Sequence, residues 1–356
     1  MSIRTEDRLA ASVSLFGATV WTAAAILAGL HLARVGIIEL LLLFAPLVIV
    51  PLGLELAHTV EHSADASLSG LPWVIQSFAA MAVCAALWIP SGPAAAILSF
   101  LWLIACVVLG FSRLLNRPRT GYSVLSFAVD VAHVDLILGA CWFVVSRAGW
   151  RPMGFQEPII LLTAVHFHYS GFATAILAAS TLSTARPRTL RPARLRVIVL
   201  LAVLLPFVLA AGFVFSPLLR FAAATALVLV VTVLAGVLFA CAREFRSAVA
   251  RIYLRSAACA GFVAFALVVL YAVGEYFHQD WITIPGMANS HGVLNALGFV
   301  LLGLLGWLTE LHAVGSFTED HRREHPGLYG QSLGQERKPV QPAILPEFVA
   351  RDFYDR

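Results

Sequence analysis

An all-α fold is the class this sequence predicts: a polytopic transmembrane bundle of about ten spanning helices, with both termini cytoplasmic. Three observations predict it. The 356 residues are 60% hydrophobic and only 12% charged, about half the charged fraction of a soluble domain, and the mean hydropathy is +0.86. Apolar runs of about 20 residues recur along the chain, the length needed to cross a hydrocarbon core about 30 Å thick. The arginines then fall in alternate connections, fourteen on one side against four on the other, and the richer side is expected in the cytoplasm. A multi-pass protein of the cytoplasmic (inner) membrane follows, with the lipid bilayer as its first partner.

The apolar runs are 11–33, 36–57, 71–89, 94–112, 123–146, 158–182, 197–215, 221–242, 256–277 and 290–312. The opening MSIRTEDR carries both signs of charge and leads into a run too long for a signal-peptide core, so the first helix is expected to stay. Pro46 and Pro51 fall inside the second run and predict a kink that frees backbone carbonyls at depth. Pro90-Ser91-Gly92-Pro93 makes the turn between the third and fourth runs, and Ser216-Pro217 with Arg220 divides the seventh from the eighth. Residues 1–312 thus form the bundle. Residues 313–356 read as a flexible polar cytoplasmic tail without helical periodicity, whose HRREH run suits lipid headgroups.

Several classes of function are excluded by what the chain carries. The net charge of +4 is no nucleic-acid signal, because the arginines lie between apolar runs rather than along one face. Cys84, Cys106, Cys141, Cys241 and Cys259 stand singly in apolar stretches and read as small buried hydrophobes, not as a disulfide framework or zinc knuckle. With no P-loop and no GxGxxG after a strand, ATP-driven pumping and dinucleotide chemistry are not expected within this chain. No cofactor and no metal site is expected.

The stretch that organises the rest is Leu161–Ile176, where His166, His168 and Tyr169 sit inside a spanning run. Ionisable side chains at that depth are costly and mark functional sites by default, the bland alternative being that each ring braces a neighbouring helix. At 1.5 Å per residue, Asp130 falls roughly 10 Å and Asp135 roughly 18 Å from the inner edge, while His166 and His168 fall roughly 12–15 Å from the outer edge. Asp130, His133, Asp135, His166, His168 and Tyr169 are therefore expected in one overlapping layer. Asp130 and His133 share a helix face, and Asp135 is turned away from Asp130. His166 and His168 stand about 200° apart and cannot both enter one small pocket. Glu55/His58, Asp130/His133 and Glu275/His278 repeat the acid-x-x-His spacing of di-iron bundles, but at different heights, so one centre cannot collect them. At the outer ends of the last two helices stand Glu275, His291 and Asn295, expected to contact substrate; His291 and Asn295 share a face and continue a polar track toward the His166 layer, and Trp281 and Tyr276 suit the interfacial belt.

The strings TAVHFHYSGF and NSHGVLNALGF, together with the many-helix hydropathy, resemble the YndJ-like family of bacterial membrane proteins over most of the chain. That resemblance implies no particular activity. The chain is also similar, in size, hydropathy and acidic residues within spans, to the membrane-bound terpene cyclases of bacterial indole-sesquiterpenoid pathways. Neither a DDxxD nor a DxDD motif is present, so no catalytic residue carries over from that family. The HFHY string further resembles the histidine helix of haem–copper oxidases, although the other ligands of that family are missing.

The function expected first is acid-initiated cyclisation of a lipophilic, prenylated isoprenoid within the membrane, an isomerase-type terpene cyclase. A carboxyl group in an apolar layer is held protonated, ready to donate; Asp130 is the first candidate and Glu55 the second. His133, His166 or His168 would orient the donor and take the final proton. Phe127, Trp142, Phe167, Tyr169 and Phe172 would shelter carbocations. Two alternatives stand beside it: a proton-coupled transporter, built on Asp/Glu/His relays and the Pro46–Pro51 break, and a His-ligated haem or metal redox protein.

Overall fold

The computed structural model describes residues 3–33, 35–61, 70–117, 123–184 and 191–324. Ten helices follow one another: α1 (Ile3–Gly29), α2 (Ile37–Val60), α3 (Gly70–Trp88), α4 (Pro93–Leu115), α5 (Val124–Ala148), α6 (Ile159–Ser183), α7 (Pro192–Phe215), α8 (Pro217–Cys241), α9 (Ala248–Tyr276) and α10, which begins at Ile284. Nine of them are long and apolar enough to cross a membrane among the described residues, and Pro72–Trp88 within α3 is a shorter apolar helix. The chain is an all-α, multi-pass membrane protein. Its boundaries are set by local chemistry: Ser123, Ser216 and Ser247 each cap the helix that follows with a hydroxyl, satisfying a backbone N–H that has no intrahelical partner.

Two helices form the centre. In α2, 89% of the apolar window is buried within the protein, and in α6 67%, against 22% in α1 and 28% in α7. Polar groups on α2 and α6 therefore meet protein, while the outer helices present apolar side chains outward. Both central helices change winding part-way, to π turns at Ala45–Ile49 and Phe167–Ala173. α10 does the same at Ala288–Gly292 and Leu294–Leu301. Such bulges are rare and concentrate at functional sites.

The chain divides into two compact units at Glu310. In the first, Met1–Glu310, the Glu310 side chain is buried and its two carboxylate oxygens accept the Arg246 and Ser247 N–H groups at 2.8 and 3.0 Å. In the second, Leu311–Arg356, the described part is helical through Glu324. The expected non-helical tail from residue 313 thus begins as helix, because no proline stops it before Pro326.

Candidate functional site

Pro46 and Pro51 stand five residues apart on α2 and lack N–H groups. A π turn pairs each N–H with the carbonyl five residues back, so the carbonyls left without donors are those of Leu41 and Pro46. Other helices fill both. The Tyr169 hydroxyl donates to the Leu41 carbonyl at 2.7 Å, and Gln76 Nε2 donates to the Pro46 carbonyl at 2.6 Å. A third side chain, Trp21, donates its indole N–H to the Leu40 carbonyl at 2.7 Å. The break in α2 is thereby pinned from α1, α3 and α6 at once.

On the other side of α6 one buried ring holds both a side-chain and a backbone partner. His168 is fully buried. Trp102 on α4 donates its indole N–H to His168 Nε2 at 3.1 Å, and His168 Nδ1 lies 2.8 Å from the Ala164 carbonyl. An indole only donates, so Nε2 accepts and Nδ1 carries the proton. This is one neutral tautomer with both nitrogens engaged, leaving none for haem iron in this arrangement. A Cβ added at Gly139 would come within 2.5 Å of this ring, and one at Gly53 within 2.7 Å of Phe172.

Asp135 lies on α5 with no exposed surface. Neither carboxylate oxygen has a hydrogen-bond partner among the described residues. The carboxyl packs directly onto the π turn of α6, where a Cβ at Gly171 would fall 2.6 Å from its Cγ. A buried ionised carboxylate is tolerated only when paired or hydrogen-bonded, so the packing around Asp135 suits the neutral acid. The sequence marked Asp130, not Asp135, as the first candidate donor; of the two, Asp135 is the fully buried one.

Asp130 occupies a different environment from the apolar layer expected of it. Arg113 Nε approaches its carboxylate at 3.3 Å and Arg117 pairs with it as well. Arg113 also binds Glu61, at 2.7 Å. Arg113 from the last turn of α4 and Arg117 just beyond it both reach the first turns of α5, so Asp130 serves an ion network at the arginine-rich end. Burial pushes the Glu61 carboxyl up to about 7, an effect that the Arg113 charge opposes. Beside the network is a cavity of about 60 Å³, lined by His58, Glu61, Arg113 and His133 among others. His133 Nδ1 is 2.8 Å from the Val129 carbonyl, and its ring meets Phe172 edge-on.

The remaining expected residues are dispersed. Glu55 is buried in α2, two residues beyond Gly53. His166 turns away from the His168 side; its Nε2 is buried without a hydrogen-bond partner among the described residues, and His291 of α10 is its ionisable neighbour. His291 Nδ1 is 3.0 Å from the Ala264 carbonyl of α9. Phe167 is buried against Phe207, while Phe127, Trp142 and Asn295 are half-buried. Glu275 pairs with Arg220 at 2.8 Å near the end of the bundle remote from Asp130. Among the described residues no group of three or more His, Cys, Asp or Glu could hold a metal ion. The core thus gathers His133, Asp135, His168, Tyr169 and Phe172, but not Asp130 or Glu275. Gln76, Trp102 and Gly171 join them with no motif to announce them; only the prolines of α2 hinted that donors such as Gln76 must exist.

A second cavity, of about 330 Å³, lies where α2 and α6 begin and α5 ends. Arg147 Nη2 donates to the Ile89 carbonyl at 2.8 Å, whereas its Nε is buried with no hydrogen-bond partner among the described residues. Glu157 accepts the Ser146 hydroxyl at 2.6 Å and the Leu161 N–H at 3.1 Å.

Comparison with known proteins bears on the same region. The family described as "YndJ-like protein" matches residues 40–299, from the broken part of α2 to the π turns of α10. The Bacillus subtilis (strain 168) protein named "Uncharacterized membrane protein YndJ" is 29% identical over 199 residues, covering 56% of this chain and 35% of that protein. The chain thus spans about a third of the length of that curated relative. No solved structure matches.

Proposed function

The chain belongs to the YndJ-like family of membrane proteins, and from that premise we propose that it is a proton-coupled membrane carrier whose proton resides on Asp135. One observation carries the reading: a fully buried carboxyl group, without a hydrogen-bond partner among the described residues, seated on the π turn of the second most buried helix. Such a group is stable when neutral and must gain water or a counter-charge to ionise, so proton release is tied to a change in packing. The means for that change are present. α2, α6 and α10 each carry π turns, the positions at which transporter helices break and re-bend. Cavities flank the core toward either end, one reaching His133 and the other Ile160 and Leu161. The arginine bias of the connections supports a cytoplasmic-membrane protein with the Glu61–Arg113–Asp130 network on the inner side. In proteoliposomes, a pH step should drive solute-dependent proton movement that Asp135→Asn abolishes and Asp130→Asn leaves intact; equal activity of Asp135→Asn and the unmodified protein would refute the reading.

A second reading is favoured by the rings of Trp102, Tyr169 and Phe172, which are buried in the same core. It is a membrane-bound terpene cyclase, in which Asp135 rather than Asp130 or Glu55 protonates a prenylated lipophilic substrate and the aromatic faces shelter the cation. The packing of Asp135, His168 and Phe172 onto glycine backbone leaves the chamber closed in this conformation, which is why transport is preferred. Membranes containing the chain and fed prenylated small molecules would yield cyclised products under this reading and none under the first.

A further inference from the structure

The 330 Å³ vestibule holds charges that the core does not use. Its size lies at the lower end of small-ligand sites, roughly 300–1,000 Å³. Four charged residues line it: Glu39, Arg147, Arg151 and Glu157. Glu157 has both oxygens committed to Ser146 and Leu161. Glu39 has used one, Oε2, on the Gly36 N–H at 3.1 Å. Arg147 is fixed through Nη2, lies near the charges of Glu39 and Glu157, and keeps a buried Nε–H with no acceptor among the described residues. Arg151 is exposed beside it in the loop after α5. Two guanidinium groups and the Glu39 carboxylate thus line the cavity with hydrogen-bonding capacity to spare.

Two guanidinium groups suit a phosphate, whose peripheral oxygens can accept from both planar forks. A bare dianion is a poor fit, since Glu39 and Glu157 bring the lining to zero net charge and would repel it. A molecule carrying an ammonium next to its phosphate satisfies both signs. We propose that the vestibule binds a zwitterionic phospho-amine group, the phosphate on Arg147 and Arg151 and the ammonium on Glu39. Exposed Trp150 and the apolar flank of Ile38, Ile160 and Leu161 place this site at the depth of lipid headgroups. The group can therefore arrive as soluble phosphoethanolamine or as the headgroup of phosphatidylethanolamine. The assignment stands independently of proton coupling at Asp135.

Calorimetric titration of the purified full-length protein in detergent tests it. Phosphoethanolamine should bind at least tenfold more tightly than inorganic phosphate or ethanolamine alone. Arg151→Gln should weaken it at least tenfold, and Glu39→Gln should reduce it to the level of inorganic phosphate; Arg151 is exposed, so its variant is expected to fold. Asp135→Asn protein should bind as the unmodified protein does, which separates this test from that of the carrier reading. In nanodiscs, loss of phosphoethanolamine binding when phosphatidylethanolamine replaces phosphatidylglycerol identifies the lipid as the source, and unchanged binding identifies the soluble compound. Equal affinity for phosphate and phosphoethanolamine, or indifference to both substitutions, would overturn the proposal.

Discussion

Asp130 and Asp135 are the same residue type, five positions apart on one helix, and they meet opposite surroundings. Asp130 is held between Arg113 and Arg117 at the arginine-rich end, whereas Asp135 is packed onto the Gly171 backbone with neither oxygen partnered among the described residues. Five residues advance a helix by about 7.5 Å and turn it by about 140°, enough to carry a carboxyl group from a charged rim into a dry core on another face. The difference teaches that depth alone does not define an intramembrane proton site; the neighbouring helices decide whether a carboxyl group is a structural ion or an exchangeable acid.

The comparison breaks most sharply on substitution of the two carboxylates. Asp135→Asn should abolish pH-driven proton movement in proteoliposomes while changing unfolding stability by no more than about 1 kcal/mol, because no partner is orphaned. Asp130→Asn should leave activity near that of the unmodified protein and cost up to about 1 kcal/mol, the range of partly exposed ion pairs. The reverse pattern would move the working site to the arginine-rich end. Gly171→Ala comes next. Its methyl group would meet the Asp135 side chain at 2.6–2.9 Å, and overpacking of this kind costs about 1–3 kcal/mol. A thermal-unfolding series in one detergent reads it, and an unshifted transition would mean that α5 and α6 separate freely at this contact. Tyr169→Phe should cost somewhat less, about 1–2 kcal/mol, by leaving the Leu41 carbonyl without its donor. Because Gln76 caps the next carbonyl independently, the Gln76→Leu cost should add to it, and strong coupling would show that the two caps act as one unit.

How far the sequence foretold these features depends on whether one helix or two were needed to see them. The ten apolar runs, the turn at Pro90–Pro93 and the freed carbonyls of α2 follow from single segments, and they agree with the helices found. The divergence of His166 and His168 follows from helical geometry in the same way. The donors that fill α2 do not: Tyr169 lies 128 residues from Leu41 and Gln76 lies 30 from Pro46, and nothing local marks either. The arginine pairing of Asp130 was hidden for the same reason. Spacing along α5 carries no information on where Arg113, in the last turn of α4, and Arg117, just beyond it, reach. Gly139 and Gly171 were equally silent, since a glycine that receives a neighbouring side chain looks in sequence like any other small residue in a membrane helix.

Glu61 gives the smallest expected effect and bears on the arginine-rich end alone. Burial moves its carboxyl from 4.5 to about 7, against the pull of Arg113 at 2.7 Å. Between those values the folded protein keeps a proton that the unfolded chain has released, so its contribution to stability is complete below about 4.5 and is lost as pH rises through about 7. Unfolding temperatures measured across that window should fall with rising pH, and Glu61→Gln, neutral throughout, should flatten the fall. Arg113→Gln should extend it to higher pH, because the opposing charge is gone. Asp135→Asn should leave this slope untouched if the two carboxylate regions are independent; a change in slope on altering Asp135 would instead tie the ion network to the core and make Glu61 part of the same proton route.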